Sequence, residues 1–440
     1  MPTTALMTDK YELTMLSSFV ESGIAQHEGV FELFARRFPA GRRFGVVAGL
    51  GRLIAALPDF HFDDEDLAWL VQTGALTPRA AEHLSGWTFS GDIDAYPEGS
   101  LYWPNSPVLT ISGKVGDAIL LETLALSIYN FDTSVASAAA RMVLASGGRP
   151  IIEMGSRRVH EEAAIAAARA AYVAGFASTS NLAAGRRWGV PVVGTAAHAF
   201  TLAHRSEPDA FAAQIATHGP GTTLLVDTYD IPTGIRNAVA AANAAGATGP
   251  GAIRLDSGDL LVEARKAREL LDSLGATQTR IVVTSDLDEY LMTELAAAPI
   301  DGYGAGTRVA TGSGHPTAGM VYKLVATSDS DVPGAPLRPV AKKASGKGSI
   351  GGRKTVYRLA DGTEQFSTDG SIPDGASPVQ VPVVRGGRVV HDPSLDEIRA
   401  YTAIQLATLP QQARAVSNGE AFQIAQEGTH PMTTTEPRKA

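Results

Sequence analysis

Gly194-Thr195-Ala196-Ala197-His198 closes the apolar run Val190-Pro191-Val192-Val193, and that order decides the fold. A short apolar run without alternation reads as a strand buried on both faces. This one ends in a corner of polar groups. The same sequence of apolar run, polar or glycine-rich corner and Ala-rich helical segment recurs from Pro150 to Leu324. Repeated units of this kind predict a parallel βα barrel, whose active site lies at the C-terminal ends of its strands.

Eight runs fit the strand role: Ile151–Met154, Gly175–Ser178, Val190–Val193, Thr222–Val226, Ala252–Leu255, Ile281–Val283, Ile300–Tyr303 and Met320–Ala326. The corners that close them carry Arg157 and Arg158, Ser180 and Asn181, Thr195 and His198, Asp227, then Arg254 and Asp256. Thr284, Ser285 and Asp286 follow, then Gly304, Gly306 and Thr307, and Lys323 sits in the eighth run. In a barrel these would ring one mouth. Arginines, hydroxyls, carboxylates and a glycine-rich corner together suit a phosphorylated, metal-bound sugar. Gly304 and Gly306 would let backbone N–H groups approach phosphate oxygens, and Thr307 adds a hydroxyl.

Each corner taken singly has a plainer reading. Gly304-Ala305-Gly306 is a tight turn and, with Val at 309, no dinucleotide fingerprint. Asp256-Ser257-Gly258-Asp259 suits a helix cap. His160-Glu161 lacks a second zinc ligand because residue 164 is Ala. Asp63-Asp64-Glu65-Asp66 reads as a solvated helix start. The signal lies in many polar groups falling at equivalent places in one repeat.

Outside the repeat the pattern changes. Residues 1–145 mix helical spacing at Asp9–Leu16 with alternating strands near Gly29–Phe34, Asp92–Tyr96 and Pro107–Ser112. Residues 329–428 hold the turn-rich Ser345-Gly346-Lys347-Gly348, strands at Thr355–Leu359 and Val379–Val384, and a helix at Leu395–Ala407. Pro382 suits an edge strand. The two ends are expected to complete one α/β layer around a barrel at 146–328, with a polar, disordered tail at 429–440.

The chain has 440 residues, a formal net charge of −9 and no cysteine. The charge argues against broad nucleic-acid or anionic-membrane binding. Without cysteine there are no disulfides, thiolate zinc sites or cysteine nucleophile. No apolar run reads as a membrane span and the first residues do not read as a signal peptide, so a cytoplasmic protein is expected.

The chain resembles the nicotinate phosphoribosyltransferase family. The resemblance spans nearly its whole length: Thr8-Asp9-Lys10-Tyr11-Glu12-Leu13-Thr14-Met15, Phe31-Glu32-Leu33-Phe34-Ala35-Arg36, Leu121-Glu122-Thr123-Leu124, Gly155-Ser156-Arg157-Arg158, Ser178-Thr179-Ser180-Asn181, Gly194-Thr195-Ala196-Ala197-His198, Arg254-Leu255-Asp256-Ser257-Gly258-Asp259, Tyr303-Gly304-Ala305-Gly306-Thr307, Val321-Tyr322-Lys323-Leu324 and Pro393-Ser394-Leu395-Asp396-Glu397-Ile398-Arg399. It implies an irregular parallel βα barrel plus an α/β sandwich built from both chain ends. It implies an ATP-coupled, ADP-forming ligase of NAD salvage that makes nicotinate mononucleotide and diphosphate from nicotinate and phosphoribosyl diphosphate. Mg²⁺, ATP as co-substrate, a phosphohistidine and a homodimer with shared sites follow from the same resemblance.

Mapped residue by residue, the resemblance makes His198 the phosphorylated group and Asp256 the residue that orients the ribose and stabilises positive charge at the anomeric carbon. Arg254 would meet the nicotinate carboxylate or its phosphoribosyl partner, and Thr195 the carboxylate. Ser180 stands where nicotinamide-using relatives carry an acid that would repel a carboxylate. Arg157, Gly304, Gly306 and Thr307 would take phosphate, Ser285 would face substrate, and Tyr11 would stack on the pyridine ring from a neighbouring subunit. Met154 replaces the phenylalanine usual before the Gly-Ser-Arg-Arg-type motif, and Thr311–Gly319 departs from the commoner family wording.

Three rivals remain. Nicotinamide- or quinolinate-using relatives are opposed by Ser180 and by His198 in its motif. A sugar-phosphate isomerase or aldolase would want a Schiff-base lysine, for which only Lys323 offers. A non-catalytic NAD-precursor sensor is opposed by the intact His198, Asp256 and Arg254 set.

Overall fold

The computed structural model describes residues 5–342, 349–360 and 362–416. The turn at Ser345-Gly346-Lys347-Gly348 and the tail 429–440 lie outside the described residues. The chain forms two compact units, one from residues 5–133 with Thr317–Gln405, the other from Ser134–Pro316 with residues 406–416. Among the described residues no helix is long and apolar enough to cross a membrane.

The second unit holds a six-stranded sheet in which every pair is parallel. Its order is Ser178–Thr179, Ile151–Glu153, Gly302–Ala305, Arg280–Ser285, Ala252–Leu255 and Thr223–Leu225. Parallel strands buried on both faces need apolar side chains in succession, and Ala252, Ile253, Leu255, Ile281 and Val283 are at most 1% exposed. Helices Glu161–Val173, Ile231–Ala244 and Leu260–Ser273 follow three of these strands. The first buries six alanines; short side chains let a helix lie close to a sheet.

The expected strand at Val190–Val193 reduces to a bridge, Val192 pairing parallel with Thr179. Pro191 has no N–H to donate; it contributes only its carbonyl, to Thr179 N–H at 2.9 Å. This bridge puts residue 193 beside the first strand of the order, yet Arg254 near the far end reaches Thr195. The sheet is therefore curled, with its two ends facing each other, as a barrel-like half-cylinder. Because all strands run parallel, the residues following Glu153, Thr179, Val193, Leu225, Leu255, Ser285 and Ala305 share one edge.

The eighth expected barrel strand belongs elsewhere. Met320–Ser328 lies in the first unit, antiparallel to Glu28–Ala35 with Lys323 opposite Glu32. Its apolar content is the same in either setting, but Val321 and Lys323 are only half-buried while Tyr322 is buried and stacks on Phe31 with ring centroids 4.9 Å apart. Alternation of that kind marks an antiparallel strand with one open face. Lys323 is thereby removed from the ring of strand ends.

The first unit holds a seven-stranded antiparallel sheet in the order Leu337–Pro339, Met320–Ser328, Glu28–Ala35, Leu109–Lys114, Asp92–Ala95, Val381–Arg385, Arg388–Val389, beside a three-stranded and a two-stranded sheet. Three strands from the N-terminal region thus form the centre of the layer, flanked on each side by two from the C-terminal region. Helix Lys10–Ser22 buries Leu13 and Leu16 in the same core as Leu33, Ile93, Ile111 and Val383. Pro382 sits on the penultimate strand, beside a register break between Pro382 and Val384; a bulge is where a sheet tolerates a missing donor. Asp63 caps helix Asp64–Gln72 in a capping box with Asp66, which accounts for the acidic run.

Candidate active site

Arg254 is the centre of the strand-end edge. It leaves strand Ala252–Leu255 and its guanidinium is held on three side chains. Nε donates to Thr284 Oγ1 at 2.9 Å, NH1 to Thr195 Oγ1 at 2.9 Å and NH2 to Asp256 Oδ2 at 3.1 Å. Thr284 Oγ1 donates onward to Asp256 Oδ1. A fork-shaped cation fixed this way presents its remaining face without rotamer freedom.

Asp256 is oriented in turn by Asp227. The Asp227 Oδ2 atom accepts the Asp256 backbone N–H at 2.8 Å and the Ser257 hydroxyl at 2.7 Å. The Asp227 side chain is 1% exposed, and its second oxygen, Oδ1, is buried without a hydrogen-bond partner. His198 faces that oxygen. Its Nε2 lies 3.8 Å from Asp227 Oδ1 and 4.0 Å from Asp256 Oδ2, and its Nδ1 lies 3.2 Å from Thr228 Oγ1. The imidazole starts helix His198–Ala203 and remains 41% exposed, open to a reactant.

A second bonded group organises the first two corners. Glu153, 1% exposed, accepts the Gly155 backbone N–H and the Thr179 hydroxyl on its carboxylate. Its carbonyl accepts the Ser180 N–H at 2.8 Å. Burial pushes the Glu153 carboxyl above its usual range, opposed by those two hydrogen bonds. Asn181 caps helix Leu182–Trp188 and donates to Ser156 Oγ at 3.0 Å. Ser180 and Arg157 are exposed on either side of this linkage.

The last two corners adjoin. Ser285 adopts φ +148°, a region that side chains rarely occupy and that clusters at functional sites. Thr307 Oγ1 lies 3.4 Å from Asp286 Oδ1. Gly304 is buried inside strand Gly302–Ala305, and a Cβ there would stand 2.6 Å from Thr284 Cγ2 and 2.8 Å from Met154 Sδ. The glycine lets the Met154 side chain cross beside Thr284, under the Arg254 network. Gly306 approaches the Met154 backbone, with a Cβ contact of 3.2 Å to its carbonyl oxygen.

The structure thus gathers Thr195, Arg254 and Asp256 in one hydrogen-bonded network with His198 Nε2 4.0 Å from Asp256 Oδ2, and Arg157, Ser180, Ser285, Gly304, Gly306 and Thr307 on the same strand-end edge. Tyr11 is not part of this edge: it lies on helix Lys10–Ser22 of the first unit, 45% exposed. Sequence reading gives no role to Thr228 or Glu153, and places Asp227 and Thr284 at strand ends without a task. A carboxylate inside an apolar run, as in Ile151-Ile152-Glu153, was the available signal for Glu153.

Among the described residues no three His, Cys, Asp or Glu side chains gather as a metal cage. Mg²⁺ is commonly held by one or two carboxylates together with substrate phosphates. The uncommitted Asp227 Oδ1 and the neighbouring Asp256 carboxylate fit that mode.

Comparison with known proteins agrees with this architecture. Residues 6–130 match the nicotinate phosphoribosyltransferase (NAPRTase) N-terminal domain. Nicotinate phosphoribosyltransferase pncB1 of Mycobacterium tuberculosis is 54% identical over 431 residues, covering 94% of this chain and 93% of that protein. The Homo sapiens nicotinate phosphoribosyltransferase is 32% identical over 447 residues, covering 87% and 81%. The crystal structure of human nicotinic acid phosphoribosyltransferase superposes with a TM-score of 0.81 at 27% identity, covering 94% of this chain and 96% of that one. With sequence identity of this extent over nearly its full length, the chain belongs to the nicotinate phosphoribosyltransferase family.

Proposed function

We propose that this protein joins nicotinate to the ribose of phosphoribosyl diphosphate, releasing diphosphate, and that a phosphate carried from ATP by His198 drives the step. What supports this reading is the convergence of Arg254, Thr195 and Asp256 in one hydrogen-bonded network, with the His198 imidazole 4.0 Å from the Asp256 carboxylate.

The roles follow from the contacts. Arg254, braced by Thr195 and Thr284, offers a rigid fork to the nicotinate carboxylate. Ser180 adds no negative charge to that pocket, so the carboxylate is tolerated where an acid would repel it. The pyridine nitrogen then attacks the anomeric carbon as the C–O bond to diphosphate breaks. Asp256 lies where it can offset the positive charge growing on the ribose ring. Arg157, Ser285, Gly306 and Thr307 supply donors for the phosphates.

For His198 the surroundings select a tautomer. Two carboxylates stand on the Nε2 side and a hydroxyl on the Nδ1 side. The carboxylates favour the proton on Nε2, which leaves the Nδ1 lone pair as the nucleophile toward the γ-phosphate once the Thr228 hydroxyl turns away from it. Asp227 Oδ1 then offsets the positive ring as the phosphate arrives. Mg²⁺, when bound, would neutralise phosphate charge beside Asp227 and Asp256.

The protein acts in NAD salvage in the cytoplasm on this reading, as a homodimer in which Tyr11 reaches a neighbouring copy. Leu6, Met7 and Tyr11 expose 43%, 76% and 45% of their surface, an apolar group suited to cover by a second subunit. Labelling tests the phosphohistidine: ATP should leave an acid-labile phosphate on the protein that His198→Asn abolishes. Normal labelling of that variant would move the phosphate to another residue.

A further inference from the structure

Three side chains of the segment after strand Arg280–Ser285 meet three of the segment after strand Gly302–Ala305. Asp286 pairs with Thr307 at 3.4 Å, Asp288 with Arg308 at 3.9 Å and Glu289 with Ser313 at 2.8 Å. The first two pairs are exposed or partly so. The third is anchored in the interior. Glu289 Oε1 accepts Arg141 Nε at 3.0 Å, with the two side chains 4% and 3% exposed, and Oε2 accepts the Ser313 hydroxyl. Arg141 is completed by the Val416 carbonyl at 2.9 Å and the Tyr290 hydroxyl at 3.4 Å.

Ser313 meets Glu289 at a conformational cost. Its φ is +54°, a left-handed conformation unfavourable for a serine. Gly312 on one side packs so close to Ser134 that a Cβ would stand 2.3 Å from its Oγ, and Ser134 donates to the His315 carbonyl on the other. The short 3-10 turn Gly312–Gly314 is therefore held at Ser134 and at Glu289. Upstream, Thr311 returns to the Thr307 carbonyl through its N–H at 3.0 Å and its hydroxyl at 2.8 Å. Ala310 N–H returns to the Gly306 carbonyl at 3.2 Å, so the turn at residue 313 is tied to both Thr307 and Gly306.

We propose that Arg141, Glu289 and Ser313 form a positioning clamp that holds the Gly306–Thr307 corner in register with the Ser285–Asp286 corner for binding the phosphorylated substrate. The clamp touches no substrate; it acts by setting the spacing of two anion-facing corners. It rests on the phosphoribosyl-transfer reading for the identity of that substrate and on geometry alone for the coupling of the corners. A buried ion pair is a weak source of stability but an effective device for fixing one arrangement.

The test uses the full chain with substitutions at residue 313. Ser313→Ala and Ser313→Gly both remove the hydroxyl, and the glycine form also relieves the positive φ. Ser313→Asn tolerates that φ and carries an N–H₂ donor able to reach Glu289. Loss of a hydrogen bond to a charged group should raise the KM for phosphoribosyl diphosphate about ten-fold in the alanine and glycine forms. The KM for nicotinate and kcat should stay within about two-fold, and Ser313→Asn should restore the wild-type value. Equal changes in both KM values, an unchanged KM for phosphoribosyl diphosphate, or a glycine form that behaves as wild type would overturn the clamp.

A second readout does not depend on turnover. Amide hydrogen exchange across 304–311 should accelerate by about ten-fold or more in Ser313→Ala while the core strands keep their protection. Unchanged exchange there refutes the clamp even if the wild-type chain proves to make no mononucleotide, an outcome that would refute only the proposed reaction.

Discussion

His198 Nε2 stands 3.8 Å from Asp227 Oδ1, a buried carboxylate oxygen with no hydrogen-bond partner. The separation is slightly beyond a hydrogen bond, and a small ring movement closes it. An unpaired buried acceptor is costly, so positive charge arriving beside it in the proposed phosphorylation would be stabilised. Asp227→Asn keeps the acceptor for the Asp256 N–H but can present an amide donor to His198, favouring the wrong tautomer. We expect the rate of protein phosphorylation by ATP to fall by about 10²-fold or more, the range for a misdirected general base, with the melting temperature little changed. Rapid-quench labelling checks this; a wild-type rate would free Asp227 of the role.

Arg254→Lys should be nearly as harmful as Arg254→Ala. Lysine keeps the charge but cannot hold Thr284, Thr195 and Asp256 at once, as the guanidinium does. Loss of charge-assisted bonds of about 1.5–3 kcal/mol should raise the nicotinate KM by one to two orders of magnitude. Steady-state kinetics decide it, and near-normal kinetics in the lysine form would show that geometry is unimportant here.

Gly304→Ala should disturb the site through packing. The added Cβ would meet Thr284 Cγ2 at 2.6 Å and Met154 Sδ at 2.8 Å. Overpacking of this kind costs about 1–3 kcal/mol, and it displaces the threonine that braces Arg254. A lowered melting temperature with a raised nicotinate KM is expected. A variant with wild-type values for both would show that the Met154 thioether moves aside freely.

A pH dependence resides in the first unit. Glu12 is fully buried, and burial pushes its carboxyl up to about 7, opposed by hydrogen bonds from Thr123 and Thr8. Glu122 beside it is also raised, chiefly by burial, with Lys323 opposing. Unfolded, these carboxyls titrate near 4.3, so the folded state binds more protons between about 4.3 and 7. Stability contributed by this group is present below the unfolded value and is lost as pH rises through the folded one. Glu12→Gln should flatten the fall in denaturant midpoint between pH 5 and 8. The same fall in the variant would assign the dependence elsewhere.

Much of this architecture is legible in the sequence because a parallel sheet announces itself locally. The apolar run Ala252–Leu255 and the observed strand have the same bounds, and helical segments follow three of the strands as the repeat requires. Met320–Ser328 was misplaced because its apolar content says that it is buried and nothing about which partner buries it; Glu28–Ala35 is some 290 residues away in the chain. The Val190–Val193 run looks like a strand by composition, yet Pro191 limits it to one bridge. Ring residues such as Arg254 and His198 stand out because polar groups at strand ends are conspicuous. The tasks of Asp227 and Glu153, which hold the Asp256–Ser257 and Gly155–Thr179 corners, show only in three dimensions, since Asp256, Ser257 and Thr179 belong to other strands and their ends.

Mononucleotide formation is the most direct measurement. Purified protein is given nicotinate, phosphoribosyl diphosphate and Mg²⁺, with and without ATP, and the product is followed by chromatography. Nicotinate mononucleotide accumulating with ATP, at a rate that exceeds the ATP-free reaction and is matched by ADP release, is the predicted result. Failure to form it from nicotinate under either condition would contradict the account.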